Sequence, residues 1–423
     1  MAPKERELAL VDPSDVVVIV LGGGRGTRLY PLTRDRAKPA VAFGGKYRLV
    51  DIVLTNCIRS KLNRIFILTQ FNSYSLNRHI WQTYSRFAPD QGIIDVIAAE
   101  QTRESGDWFQ GTADAVRQSL RHVLHRHPRY VLILSADQIY SMDYRRLLAW
   151  HQAREADVTL AALCTPEAEV HRLGVVKVDD AMRVAGFHEK PKDLADVADF
   201  RVDTLPDVQV PADKPFLCSM GIYLFNTDVL VEALDNTEED FGKSVIPQTA
   251  KSRAMSCFPF DGYWEDVGTI EAFYKANMDW RAGRGIAAMF QRGASIITHA
   301  RQLPPSRIDG TTITESLVAD GCHIHAERIA GSIVGVRGRI GNGTVVEDSI
   351  VMGNDGAEGA LPFEVGSNCR IRNAIIDKNA VIGDGCVIEN ATGIEEADHD
   401  LYSIRHGIVV IPRGAFVRHG THI

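Results

Sequence analysis

An α/β domain with a mostly parallel sheet, followed by a parallel β-helix, is the fold this sequence predicts. Two patterns carry the prediction, and a glycine-rich turn adds a place for a ligand. Up to about residue 280, short β-rich runs alternate with helical stretches, as in βαβ units. After about residue 290 the helical period gives way to an apolar repeat of six. The turn is LGGGRGTR (21–28), directly after the apolar run VVVIV (16–20).

The strand candidates are VVVIVL (16–21), RIFILTQ (64–70), YVLILS (130–135), DVTLAAL (157–163) and FLCSMGIYLF (216–225). Between them, Val116, Leu120, Val123 and Leu124 recur on one face of a helix over 112–124. A sheet built this way binds ligands at the carboxyl ends of its strands. In the second half, Val334, Ile340, Val346 and Met352 stand six apart. So do Ile376, Ile382 and Ile388, and the pair Val318 and Ile324. Glycine follows in Ile340-Gly341 and Ile382-Gly383, and stacked coils of a parallel β-helix read this way. The segment GNDGAEGALPFE (353–364) breaks the repeat, and a β-sandwich with the same spacing by chance is the alternative. The resulting division is a first domain over 1–285, a linker over 286–310 containing RQLPPSR (301–307), and a second domain over 311–423.

Bulk properties exclude several classes. Hydrophobic content of 45% and charged content of 24% are those of an ordinary globular protein. The net charge of −7 argues against nucleic acid as a partner, and no apolar run reaches the length of a membrane span. Seven scattered cysteines without a C-x-x-C pair suggest reduced thiols and a cytoplasmic protein, without a zinc site. No G-x-S-x-G elbow and no H-x-x-x-H pair is present, so neither a serine nucleophile nor a zinc hydrolase is indicated.

The turn at 21–28 is neither a P-loop nor a dinucleotide fingerprint, because Gly26 is followed by Thr27 and Arg28. Its glycines can present backbone amides to a polyphosphate. Arg28 and Lys38, ten residues apart, can neutralise charge shifting onto a leaving group. The bland reading is a tight turn with solvated basic residues. In YVLILSADQIY (130–140) a buried strand ends at Asp137, and YWEDVGT (263–269) offers Asp266. Taken alone, an Asp after a strand is a helix cap; two sharing a cation make a Mg²⁺ site. FHEKP (187–191) supplies Glu189 for a sugar hydroxyl and Lys190 for a monophosphate, unless it is a solvated turn.

GGGRGTRLYPLT, with Lys38-Pro39 beyond it, resembles the signature of sugar-nucleotide pyrophosphorylases. Within that superfamily, RAKPAVAFGGKYRLVDIVLTN (36–56), WFQGTADAVRQ (108–118), SMGIYLF (219–225), DFGKSVIP (240–247) and YWEDVGT resemble the glucose-1-phosphate adenylyltransferase family, also called ADP-glucose pyrophosphorylases. The resemblance runs from about residue 16 to the end, through GIVVIPRGAFVRHGT (407–421). It implies a Rossmann-like nucleotidyltransferase domain followed by a left-handed parallel β-helix that serves assembly and regulation. It implies that ATP and glucose 1-phosphate are converted to ADP-glucose and diphosphate with Mg²⁺, supplying glycogen or another α-glucan. Residue by residue, it gives catalytic roles to Arg28, Lys38 and Asp137, and the metal to Asp137 and Asp266. It gives glucose 1-phosphate to Phe109, Gly174, Glu189, Lys190 and Ser219, and the nucleotide to Gly23, Gly24, Thr27, Gln110 and Gly111. It further implies a homotetramer and phosphorylated metabolites as allosteric effectors.

Three positions depart from the family. Ala136-Asp137-Gln138 replaces the common Gly-Asp-His, Phe109 stands where bacterial relatives often carry Tyr, and Asp35 stands where many relatives place a basic residue tied to phosphorylated activators. An acidic Asp35 would weaken the response to such activators. Uridylyl or thymidylyl transfer keeps the same chemistry and is the alternative enzyme reading, since no residue here selects adenine from first principles. A non-catalytic regulatory subunit is the alternative from another class. Against it stand Arg28, Lys38, Asp137, Lys190 and Asp266, all retained.

Overall fold

The computed structural model describes residues 12–85, 92–100, 107–206, 208–287, 295–356 and 364–423. The chain begins with β1 (Val16–Leu21), a two-residue-per-strand ribbon β2 (Ala42–Phe43) and β3 (Tyr47–Arg48), α1 (Leu49–Arg59) and β4 (Arg64–Thr69). There follow α2 (Tyr74–Tyr84), β5 (Ile93–Ala98), α3 (Thr112–Leu124), β6 (Tyr130–Ser135), β7 (Gln138–Tyr140) and α4 (Tyr144–Ala153). Then come β8 (Val158–Thr165), β9 (Gly174–Val178), β10 (Val184–Glu189), β11 (Phe216–Asn226), α5 (Thr227–Ala233) and α6 (Ile246–Ser252). The domain closes with β12 (Met255–Pro259), β13 (Trp264–Asp266) and α7 (Ile270–Arg281).

Nine of these strands form one sheet whose main path is β10-β9-β11-β6-β1-β4-β5, with β8 and β12 beyond β11. Following the pairings, β1, β4, β5, β6, β8, β9 and β12 all run one way, and only β10 and β11 oppose them. β1 is apolar throughout because both faces are covered. Val16, Val18 and Val20 pack with residues of α1 and α4, while Val17 and Ile19 pack with residues of α3 and α5. Each such side chain contributes about 1.5–3 kcal/mol of burial. Chain order reverses between β1 and β6, so the crevice at their carboxyl ends is the topological switch point. The loop after Leu21 and the turn after Ser135 both open there. The helix expected over 112–124 is α3 to the residue, and the strand expected at 157–163 continues to Thr165.

The second half is a triangular parallel β-helix. Its strands fall into three parallel ladders, and neighbouring coils pair Ile324 with Ile340, Ile329 with Val346, and Val334 with Val351. The six-residue step of the sequence is therefore the step from one face to the next. Inward side chains on all three faces of the inner coils are buried, and Ile313 and Val318 of the first coil are half-buried. Met352 departs from the repeat: Val351 is the inward residue, and Met352 turns toward the first domain. The expected break covers 353–364; of it, 357–363 lie outside the described residues. A hairpin, Glu396–Asp398 with Ser403–Arg405, interrupts the coils a second time. The first coil strand is Arg307–Ile308, ahead of the boundary expected at 311. Within the expected linker, residues 288–294 lie outside the described residues, and the part that follows is strapped to the first domain. Ile297 N–H donates to Thr55 Oγ1 at 2.9 Å and Thr298 Oγ1 to Asp51 at 2.7 Å.

The two halves share a core. Leu29, Val41, Phe43, Ile139 and Phe273 pack with Ile333, Ile350, Met352, Ile375 and Val410. A buried ion pair crosses it: Arg36 Nη2 lies 2.5 Å from both oxygens of Asp377. All seven cysteines are free thiols, and no described helix is long and apolar enough to cross a membrane.

Candidate active site

The glycine loop leaves β1 still tied to its neighbour, with Gly22 N–H donating to the Leu68 carbonyl at 2.9 Å. It turns at Gly26, whose φ of +62° is left-handed. A Cβ there would also lie 3.0 Å from Thr33 and 3.2 Å from the Cβ of Lys38. Glycine is thus required twice, for the turn and for seating the lysine. At Gly24, by contrast, a Cβ would meet nothing within 4 Å. The loop is crowded where it holds the lysine and open where it faces the crevice.

Lys38 sits in the single turn Lys38–Ala40, whose neighbours Ala37, Pro39 and Ala40 are buried beside α1. The lysine is itself 7% exposed, and its Nζ lies 2.7 Å from Asp137 and 3.5 Å from Asp266. β13 pairs antiparallel with β7 so that Asp266 stands opposite Gln138, one residue beyond Asp137. That short ribbon brings together two carboxylates separated by nearly 130 positions in the chain. Burial works against charge on both partners, but their mutual attraction wins. The Lys38 ammonium and a 2.7 Å hydrogen bond from Ser135 hold Asp137 below the usual carboxylate range. Asp137 and Asp266 together raise Lys38 above its ordinary value, against the opposing charge of Arg28. Arg28 completes the group, since a side chain at Gly268 would lie 3.3 Å from both Arg28 Nη2 and Asp266.

Three cavities join at Leu21 and Asp137. The largest, of about 770 Å³, is lined by the glycine loop, Gln70, Phe71 and residues 108–112. The second, of about 220 Å³, is lined by Gly26, Thr27, Arg28, Lys38 and Asp137. The third, of about 380 Å³, holds Glu189, Lys190, Ser219, Gly174 and both carboxylates. All the predicted residues therefore border one continuous cleft, and they separate into lobes. Gly23, Gly24, Gln110 and Gly111 line the large lobe. Phe109, grouped by resemblance with the sugar residues, lines the large lobe too and not the one containing Glu189. It belongs to the same loop as Gln110, which fixes its side.

Three glycines act by making room. A Cβ at Gly111 would fall 2.2 Å from the Glu239 carbonyl. One at Gly174 would fall 2.4 Å from Phe187 and 2.8 Å from a Glu189 oxygen, and one at Gly242 would fall 2.9 Å from the same carboxylate. Lys190 takes a left-handed φ of +47° and its Nζ lies 3.1 Å from Glu189.

Sequence reasoning missed several lining residues. Tyr223, Asp240 and Trp264 border the Glu189 lobe, although each lies in a segment that carries the family resemblance. Gln70 borders the large lobe; its Nε2 donates to the Phe109 carbonyl at 3.2 Å, and its Oε1 is buried with no partner among the described residues. A glutamine at a strand end leaves no local signal. Only the parallel pairing of β4 with β1 brings it beside Gly23.

The catalytic half and the coiled half are each recognisable. Residues 17–283 match the family described as Nucleotidyl transferase, and residues 301–422 match the GLGC left-handed parallel beta-helix domain. The first match spans more than half of the chain and contains the whole cleft. The second gives the hand of the coils. With a glycine loop, two cations and two carboxylates at the switch point of a mostly parallel sheet, the chain belongs to the nucleotidyl transferase family, in the form that carries a left-handed β-helix.

Proposed function

We propose that the chain is a glucose-1-phosphate adenylyltransferase, joining ATP and glucose 1-phosphate into ADP-glucose with release of diphosphate. The observation that carries this reading is the meeting of three lobes at Asp137, with Arg28 and Lys38 bordering both the small glycine-loop lobe and the Glu189 lobe. An oxygen of the sugar phosphate attacks the α-phosphorus of ATP, one P–O bond forms, and the bond to the β-phosphate oxygen breaks. That oxygen nucleophile is already an anion, so no general base is needed. Catalysis consists of positioning and of charge stabilisation. Arg28 and Lys38 stabilise the departing diphosphate, and Lys190 with Glu189 orients the sugar phosphate.

Asp137 and Asp266 fit a Mg²⁺ ion. Both reach one cationic nitrogen, and both are hard oxygen donors. Magnesium takes few protein ligands and completes its shell with phosphate and water. When bound, it would polarise phosphoryl oxygens and offset their charge.

Adenine as the base is supported by the resemblance of RAKPAV, QGTADAVRQ and YWEDVGT. The test is diphosphate release from the purified chain with glucose 1-phosphate and Mg²⁺, against ATP, UTP, dTTP, GTP and CTP in turn. Preference for ATP is expected. Preference for UTP or dTTP overturns the base assignment, and silence with all five overturns the enzyme reading. We further propose a homotetramer, tested by light scattering. A weak response to sugar-phosphate activators is also proposed, because exposed Asp35 carries its charge beside Arg34 at 3.0 Å. Strong activation by fructose bisphosphate would count against that.

A further inference from the structure

β11 is the longest strand of the sheet, and it changes partners along one edge. Leu217 and Cys218 pair with β9, Tyr223 to Asn226 pair with β6, and the residues between have no strand partner on that edge. On the other edge the register with β8 slips between Ser219 and Ile222. The gap is a bulge, with Gly221 at φ +69° and its N–H bonded to Ser219 Oγ at 3.2 Å. A side chain from elsewhere fills it. Gln138, 7% exposed, donates Nε2–H to the Met220 carbonyl at 2.8 Å and accepts the Trp264 indole N–H at 3.3 Å. The amide orientation is fixed by chemistry, since turning it over would set donor against donor and acceptor against acceptor.

One side chain therefore ties three walls together: β7 immediately after Asp137, the bulge of β11 with Ser219, and β13 with Trp264 and Asp266. Gln138, Ser219, Met220, Gly221 and Trp264 all border the Glu189 lobe, and none of them borders the large lobe. Without the amide, a buried carbonyl and a half-buried indole N–H lose their partners, and the bulge is free to shift. We propose that Gln138 is a positioning residue for the sugar-phosphate half of the reaction, setting the affinity for the sugar 1-phosphate and leaving that for the nucleotide alone. This rests on the proposed assignment of the Glu189 lobe to the sugar phosphate.

The test compares wild type, Gln138→Met, which keeps the length but removes both polar atoms, and Gln138→His, which keeps one donor and one acceptor. KM is measured for glucose 1-phosphate and for ATP, and Kd for glucose 1-phosphate by calorimetry. Gln138→Met is expected to raise the sugar-phosphate KM and Kd about tenfold or more, a shift that one lost buried hydrogen bond supplies. Its KM for ATP stays within about twofold, and Gln138→His recovers most of the loss. Should Gln138→Met fail to fold, Gln138→Glu replaces it. That variant keeps the indole acceptor but turns an oxygen on the Met220 carbonyl, and the same split is expected. Unchanged sugar-phosphate affinity, or equal losses for both substrates, overturns the proposal. A wild type that binds glucose 1-phosphate without transferring a nucleotide refutes the proposed activity, while the Kd comparison still decides the role of Gln138.

Discussion

Replacing Asp377 with Asn asks how firmly the β-helix holds the turn that carries Lys38. Arg36, two residues ahead of that lysine, is 2% exposed. Its Nη2 bonds both Asp377 oxygens and its Nε bonds the Leu32 carbonyl at 3.0 Å. Asn has the same shape, but it is neutral and presents an amide N–H₂ where one carboxylate oxygen stood. The guanidinium then remains buried without a counter-charge, a situation that costs about 3–5 kcal/mol when one partner of a buried pair is removed. At this chain size the melting midpoint should fall by about 3–6 °C. Scanning calorimetry of D377N, R36M and the double variant R36M/D377M measures it. The double variant should recover much of the loss, because it removes both charges together. Turnover of D377N, measured well below its melting point, should drop as well, since the disturbed backbone leads directly to Lys38. A loss under about 1 kcal/mol in D377N, or a double variant no better than the single, refutes the reasoning.

The remaining expectations are more local. Asp137→Asn should lower turnover by about 10²–10³-fold without unfolding the chain, as loss of one preorganised charge does; near-normal turnover removes Asp137 from the mechanism. Gly111→Ala should raise KM for ATP, because its Cβ would fall 2.2 Å from the Glu239 carbonyl. Gly24→Ala should leave the melting temperature unchanged, because its Cβ meets nothing; a large destabilisation would contradict the open loop. Glu364 has both carboxylate oxygens buried and unpartnered among the described residues, and burial pushes it up to about 8. With the folded value above the unfolded one, the folded state holds the extra proton, so this group's contribution to stability is lost as pH rises from about 4.5 to 8. Glu364→Gln should therefore gain up to about 3–5 kcal/mol on wild type at pH 9 and little at pH 4, read from denaturant midpoints.

How much of this was legible beforehand follows from where the information lies. The strands around β1 announce themselves because burial on both faces demands unbroken Val and Ile. α3 and the coils do so because one repeating environment imposes one period. Met352 broke the rule because it serves the interface between the halves, and no period encodes a contact with a distant partner. The charged residues of the site were readable as individuals, but their distances were not. Lys38, Asp137 and Asp266 meet through a turn, a strand end and a three-residue ribbon pairing. Gln70 carried no signal, and Gln138 stood out only as a departure from the family's Gly-Asp-His, since what they do depends on a neighbouring strand's register or on a bulge elsewhere.

The shared core has a consequence for anyone dividing this chain. Ile139, the residue after Gln138, packs in one apolar cluster with Ile333 and Ile375 of the coils. The inner wall of the catalytic cleft is thus also the outer wall of the β-helix seat. A truncated first domain would carry a raw oily face at that seat, and nothing would fix the slope of the strand that separates Asp137 from it. Equally, the cluster that the coils share with the first domain ends at Ile139, two residues from Asp137. The β-helix therefore behaves as part of the cleft's masonry rather than as an attached module.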